Sequence, residues 1–286
     1  MDAIKIHDLF DLTHTRAEKM LAACEYPWEA LSQIGETVLE IGRTLDLGAY
    51  DHPAADVWIA KSATVAATAS ITGPCVIGEK TEVRPGAFIR GNVLVGDGAV
   101  VGNSCELKNC ILFDGVQTPH YNYVGDSILG YKAHMGAGAV TSNVKGDKKN
   151  VVVHGEVDYE TGRKKFGAML GDFAEIGCNS VLNPGTIIGR DSQVYPLSCV
   201  RGVVKARHIV KGERGTFAKA KERKTIHQKN GLHETVRFFD EKTSSVTPRD
   251  SPYIPPARWL AGPGSSCRCG TECPSGGGWP HPRSCR

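Results

Sequence analysis

The sequence predicts an all-β solenoid of stacked coils, with a short helical segment before it and a structureless tail after it. Three observations carry that expectation. A large apolar residue recurs at every sixth position through the middle of the chain. A helix-like apolar stripe precedes this repeat. Both periods vanish beyond about residue 215.

The repeat is read from Ile59 through Val65, Ile71, Ile77, Val83, Ile89, Val95, Val101 and Leu107 to Phe113. If such residues are roughly 30% of a chain, ten in succession is an event on the order of a few in a million. A second series runs Leu170, Ile176, Leu182, Ile188, Val194, Val200, and a short one, Leu129 and Met135, lies between them. A period of six is neither helix nor simple strand. It describes short straight stretches, each turning one side chain inward, joined by tight corners. The 33 glycines of the 286-residue chain suit those corners. One such unit buries nothing alone, whereas stacked coils bury a continuous apolar column.

Before the repeat, Leu31, Ile34, Val38, Ile41 and Leu45 follow helical spacing, with Pro27 suited to a first turn. A shorter helix is expected over 15–24. Residues 1–50 are therefore read as a helical cap on the open N-terminal end of the coil stack, where strand edges need covering. Residues 51–215 form the solenoid. Residues 201–249 hold 13 Lys and Arg against 5 Asp and Glu, and eight of the fifteen prolines lie from Pro248 onward. Apart from an exposed helix over 217–229, residues 216–286 are expected to be disordered, a basic stretch followed by a Pro/Gly/Cys-rich one.

A net charge of +3 gives no case for nucleic acid or an anionic membrane. No apolar run is long enough to span a bilayer, and MDAIKIHDLF lacks the pattern of a signal peptide. The expected location is the cytoplasm. There Cys24, Cys75, Cys105, Cys110, Cys178 and Cys199 read as small buried hydrophobes. Cys267, Cys269, Cys273 and Cys285, with His281, match no common zinc spacing, so no metal site is assigned.

Function is expected where the repeat breaks. Four extra residues are inferred after Phe113, within QTPHYNYVGD, and a long polar loop over 142–166 leaves the coil and is expected to reach toward a neighbouring subunit. Around the breaks lie Arg84, Lys108, His120, Tyr123, Asn143, Lys148 and Lys149. Arg and Lys neutralise phosphate, a histidine accepts a proton near neutral pH, and Asn and Tyr hold sugar hydroxyls. Arg84 and Lys108 are 24 residues apart, so with an 18-residue coil they occupy different faces and meet only across two subunits.

The string HYNYVGDSILGYKAHMGAGAVTSNVKGDKK, 120–149, with the upstream RPGA at 84–87 and ELK at 106–108, resembles the acetyltransferase domain of the bifunctional glucosamine-1-phosphate acetyltransferase/N-acetylglucosamine-1-phosphate uridyltransferase family. The resemblance spans roughly 57–215 and is specific over 82–149. It implies a left-handed parallel β-helix, a homotrimer with sites between subunits, and acetyl-CoA as co-substrate. It places the catalytic base on His120 and phosphate and sugar contacts on Arg84, Lys108, Tyr123, Asn143 and Lys149. His134 stands where the family has an asparagine of the substrate site. Cys178 and Pro196 replace a serine and an alanine of the coenzyme pocket, and Val144 replaces a tyrosine.

The expected activity is acetyl-CoA-dependent N-acetylation of an amino-sugar phosphate in nucleotide-sugar metabolism, with no nucleic-acid or membrane partner. A nucleotidyltransferase activity is not expected, since no glycine-rich nucleotide loop precedes the repeat, although small stand-alone relatives are often labelled UDP-N-acetylglucosamine pyrophosphorylases. Two alternatives stand beside it. One is a sugar-phosphate or nucleotide-sugar binding module that has lost transfer, favoured by Cys178 and Pro196. The other is an interface-zinc enzyme of γ-carbonic-anhydrase type using His120, His134 and His154.

Overall fold

The computed structural model describes residues 3–211 and the backbone of 216–218. The tail cysteines and most of the region read as basic, helical or disordered lie outside the described residues. Residues Thr216–Ala218 form a strand antiparallel to Ile209–Lys211, so 217 and 218 are not helical.

The body is a parallel β-helix of about nine turns, each coil a triangle with three short strands. Strand ladders link each coil to the next. On the first face Ile77 pairs with Val95, Val95 with Leu112, Leu112 with Leu129, Leu129 with Leu170 and Leu170 with Ile188. On the second face Val83 pairs with Val101, and Val101 with Thr118. On the third, Ile89 pairs with Leu107 and Leu107 with Val124. These side chains point inward and are at most 1% exposed, forming the continuous column that the period of six requires. Corners are made by residues of positive φ, including Ser104, Asn109, Tyr121, Asp126 and Asn179 as well as glycines. Asn and Asp tolerate that conformation better than other non-glycine residues.

The phase break after Phe113 differs from the expected four-residue insertion. Six-residue steps continue from Leu112 through Thr118 to Val124. Thr118 is an inward, fully buried polar residue, and its polarity interrupts the apolar count. The real irregularity is a shortening. Cys110 sits 17 positions from both Val93 and Ser127 in register, where neighbouring coils use 18, as in Val57↔Cys75. Phe113 leaves the inward column to Leu112 and packs at the corner against Phe10, ring centroids 5.2 Å apart.

The N-terminal segment comprises α1 (Ile6–Leu9), α2 (Glu18–Ala22) and α3 (Ile34–Thr44), with a 3-10 turn over Pro27–Ser32. It does not sit on the open end of the stack. It runs along the first face, with α3 over the strands Cys75–Ile77, Val93–Val95 and Glu106–Leu112. The reason is a second apolar column, pointing outward. Trp58, Val76, Leu94, Ile111, Ile128, Met169 and Ile187 stack in register, and all are buried. Gly42 lets α3 approach closely, because a Cβ there would enter the Trp58 ring. The edge of the first coil is instead met by Tyr50–Ala54, antiparallel to Val57–Ala60.

Asp172 ties the segment down. Its carboxylate accepts the backbone N–H of Asp11 and of Tyr131, each at 2.8 Å, and pairs with Arg190 at 3.0 Å. The 142–166 excursion folds back on its own chain. Phe166 is fully buried, Arg163 donates to the Glu29 carbonyl and to Ser32 Oγ, and Tyr159 and Phe166 contact the Trp28 ring. Within the excursion Val152–His154 and Asp158–Glu160 form an antiparallel hairpin.

Candidate active site

The expected site residues fall on two edges of the prism. The edge after the second face carries Arg84, His120, Cys178 and Pro196. Corner hydrogen bonds run rung to rung from Tyr121 N to Asn103 O, Gly138 N to His120 O, Asn179 N to Ala137 O and Leu197 N to Cys178 O. His120 and Cys178 are therefore two rungs apart in one column, about 10 Å at the usual strand spacing. The His120 side chain is exposed while its backbone is fixed. Its N–H donates to Asn122 Oδ1 at 3.2 Å. Asn122 is 2% exposed and donates to the carbonyls of Gly136 and Ala139. This inward asparagine locks the His120 turn onto the next coil. Pro119 lies against Gly102, where any Cβ would collide with its carbonyl. Arg84 forks onto Glu82 at 3.1 Å.

The edge after the third face gathers Lys108, Tyr123 and Asn143 around a residue not singled out from the sequence, Asp126. Its carboxylate is nearly buried and accepts from Asn143 Nδ2 and from Asn109 Nδ2 at 2.9 Å, with Lys108 Nζ at 3.7 Å. Asn143 also donates to the Tyr123 hydroxyl at 3.1 Å. Burial and then the Asp126 charge push the Tyr123 phenol above its usual pKa, against that hydrogen bond, so it stays protonated and can donate. Asn109 further holds the Leu31 carbonyl at 3.1 Å, coupling this cluster to the N-terminal segment. Lys149 is exposed on the excursion; its backbone N–H donates to Asp147.

His134 is not in that cluster. It points outward on the second face, Nδ1 2.9 Å from Glu175 Oε2, and lines a groove of about 200 Å³ with Glu175, Cys178 and Pro196. Cys178 and Cys199 are exposed, while Cys75, Cys105 and Cys110 are buried. The expectation of six buried cysteines thus holds for three; Cys24 is only half-buried, and Cys178 and Cys199 fall on outward corner and strand positions. Burial pushes the Cys75 and Cys110 thiols far up, leaving them protonated. His120, His134 and His154 lie on separate elements, and His154 pairs with Asp158. Among the described residues no three His, Cys, Asp or Glu side chains gather as a metal site. No helix among them is long and apolar enough to cross a membrane.

A triangular parallel coil with a six-residue repeat and site residues on its corners is a hexapeptide-repeat β-solenoid, the architecture of the left-handed β-helix class. Within that class, residues 71–161 match the family described as the GMPPB C-terminal domain. The bifunctional protein GlmU of Methanococcus maripaludis is 31% identical over 174 residues, 54% of this chain and 42% of that protein. A bifunctional sugar-1-phosphate nucleotidylyltransferase/acetyltransferase of Sulfurisphaera tokodaii is 32% identical over 130 residues, 45% of this chain and 31% of that protein. The chain thus spans less than half the length of these curated relatives. The solved structure of PerB from Caulobacter crescentus, in complex with CoA and GDP-perosamine, aligns over 57% of each chain at 18% identity and a TM-score of 0.32.

Proposed function

We propose that the protein is an acetyl-CoA-dependent N-acetyltransferase acting on an amino-sugar phosphate, and that it works as a homotrimer. The observation that carries the reading is the polar cluster on one edge, with Asp126, Tyr123 and Asn143 joined by hydrogen bonds and Lys108 by an ion pair, and an exposed imidazole held by its backbone on the other. Lys108 and Lys149 supply positive charge for a phosphate, and the Tyr123 hydroxyl and the Asn143 side chain supply donors and acceptors for sugar hydroxyls. His120 takes the proton from the sugar amine as its nitrogen attacks the thioester carbonyl. The tetrahedral intermediate collapses with loss of the coenzyme thiolate, which is then protonated. The groove at Cys178 and Pro196, two rungs along the same edge, receives the coenzyme.

One chain leaves its third face between the two edges. A neighbouring copy presenting its opposite edge completes the site. Of the seven exposed large hydrophobics among the described residues, Phe88, Tyr121, Val181, Tyr195 and Leu197 lie on that face or its leading edge, which supports contact there.

General-base help is worth about 10²–10⁴ in rate. His120→Ala is expected to lower acetyl transfer to glucosamine-1-phosphate at least a hundredfold with an unchanged melting temperature. An unaltered rate removes His120 from the mechanism. The exchange of a small hydroxyl for a thiol at Cys178 favours a second reading, a binding module without transfer. Calorimetry with acetyl-CoA separates the two, since the module binds sugar phosphate but no acetyl-CoA.

A further inference from the structure

Where the 142–166 excursion leaves the coil, a cleft of about 450 Å³ opens between it and the last turns. That volume lies within the ~300–1,000 Å³ of ordinary ligand sites. It is lined by Ser142, Lys145, Asp147, His154, Asn183 and Arg201 among others. The cleft continues the edge that holds the Lys108 and Asp126 cluster. Ser142 N donates to Leu182 O and Asn183 N to Val200 O, so Ser142, Asn183 and Arg201 succeed one another on the corner.

Its charge is only partly neutralised internally. Lys145 Nζ is 3.5 Å from Asp147 and 3.3 Å from the Asn150 carbonyl, and His154 is paired with Asp158. Arg201 is exposed and makes no ion pair or side-chain hydrogen bond among the described residues. A guanidinium fork offers paired donors matched to phosphoryl oxygens, and an ammonium adds a point charge. With Lys145 offset by Asp147 and Arg201 unpaired among the described residues, the lining keeps an excess positive charge that suits an anionic ligand.

We propose that this cleft binds the pyrophosphate of a nucleotide, with Arg201 and Lys145 as its charge partners. Two sources share that chemistry, the nucleoside diphosphate of a nucleotide-linked amino sugar and the pyrophosphate of coenzyme A. The proposal goes beyond acetyl transfer, because binding is measurable whether or not transfer occurs.

The test is calorimetric titration of the full chain with inorganic pyrophosphate, uridine 5′-diphosphate and coenzyme A, in the wild type, Arg201→Ala, Lys145→Ala and the remote control Arg43→Ala. Pyrophosphate is expected to bind, and each cleft variant to weaken it at least tenfold at an unchanged melting temperature, with Arg43→Ala without effect. A parallel loss for uridine 5′-diphosphate assigns the site to the acceptor; a parallel loss for coenzyme A alone assigns it to the co-substrate. Absence of pyrophosphate binding at millimolar concentration, or equal affinity in both cleft variants and the wild type, overturns the proposal. The His120→Ala result bears on transfer alone, so the two readings fail separately.

Discussion

Asp126 is the residue on which the proposed acceptor side of the site turns. Its carboxylate orients Asn143 and, through Asn143, the Tyr123 hydroxyl, while holding Lys108 within 3.7 Å. Asp126→Asn is nearly isosteric but presents donors toward the amide of Asn143 and the ammonium of Lys108. The expected result is a rise of about tenfold in KM for the sugar phosphate, the equivalent of about 1.4 kcal/mol, with kcat and the KM for acetyl-CoA little changed. Steady-state kinetics in both substrates checks it. A fall in kcat alone would place Asp126 in the chemical step. The sequence motif around His120 contains Asp126 but does not disclose its role. Its partners Asn109 and Asn143 lie one coil to either side, each 17 positions away, and only the shortened coils put these three on one corner. His134 illustrates the opposite case. Its place in the motif suggests the substrate cluster, yet strand alternation turns it onto the second face beside Glu175.

At the scale of elements, the N-terminal segment is a cover for the first face and a brace for the excursion. Full burial of a Leu or Ile side chain is worth about 1.5–3 kcal/mol, and the outward column supplies several. Ile128, in the strand Tyr123–Leu129 that the 3-10 turn Pro27–Ser32 packs against, is fully buried. Ile128→Ala is expected to cost about 2–5 kcal/mol through lost burial and the cavity left behind, read from urea unfolding. A loss below about 1 kcal/mol would mean the segment does not seal that face. The helices themselves are legible from their apolar stripe. Their docking is not, because the outward column alternates with the inward one inside strands of three residues, and an all-apolar triplet such as Cys75–Ile77 does not reveal whether its middle residue meets water or a helix.

For the whole molecule, the two edges of the site converge only if a second copy fills the space beside the third face. Phe88, 43% exposed on the second rung of that face, is the residue to test. Phe88→Asp places a charge that must be desolvated on association. It is expected to yield monomers by analytical ultracentrifugation and to lower acetyl transfer at least a hundredfold while far-UV circular dichroism is retained. A trimeric or fully active Phe88→Asp protein would show that the third face is not the contact.

The six-residue period was enough to establish coils and an inward column, since an apolar residue recurring once per side of a closed triangle is buried on all sides only when it faces the axis. The local motif around His120 was enough to nominate the base and several of its companions, because those residues are adjacent in the chain. Neither could reveal the one-residue shortenings, the helix-covered face or the carboxylate that joins three coils. Each depends on which side chains stand above one another across strands, and that register is set by packing between turns of the chain rather than by neighbours along it.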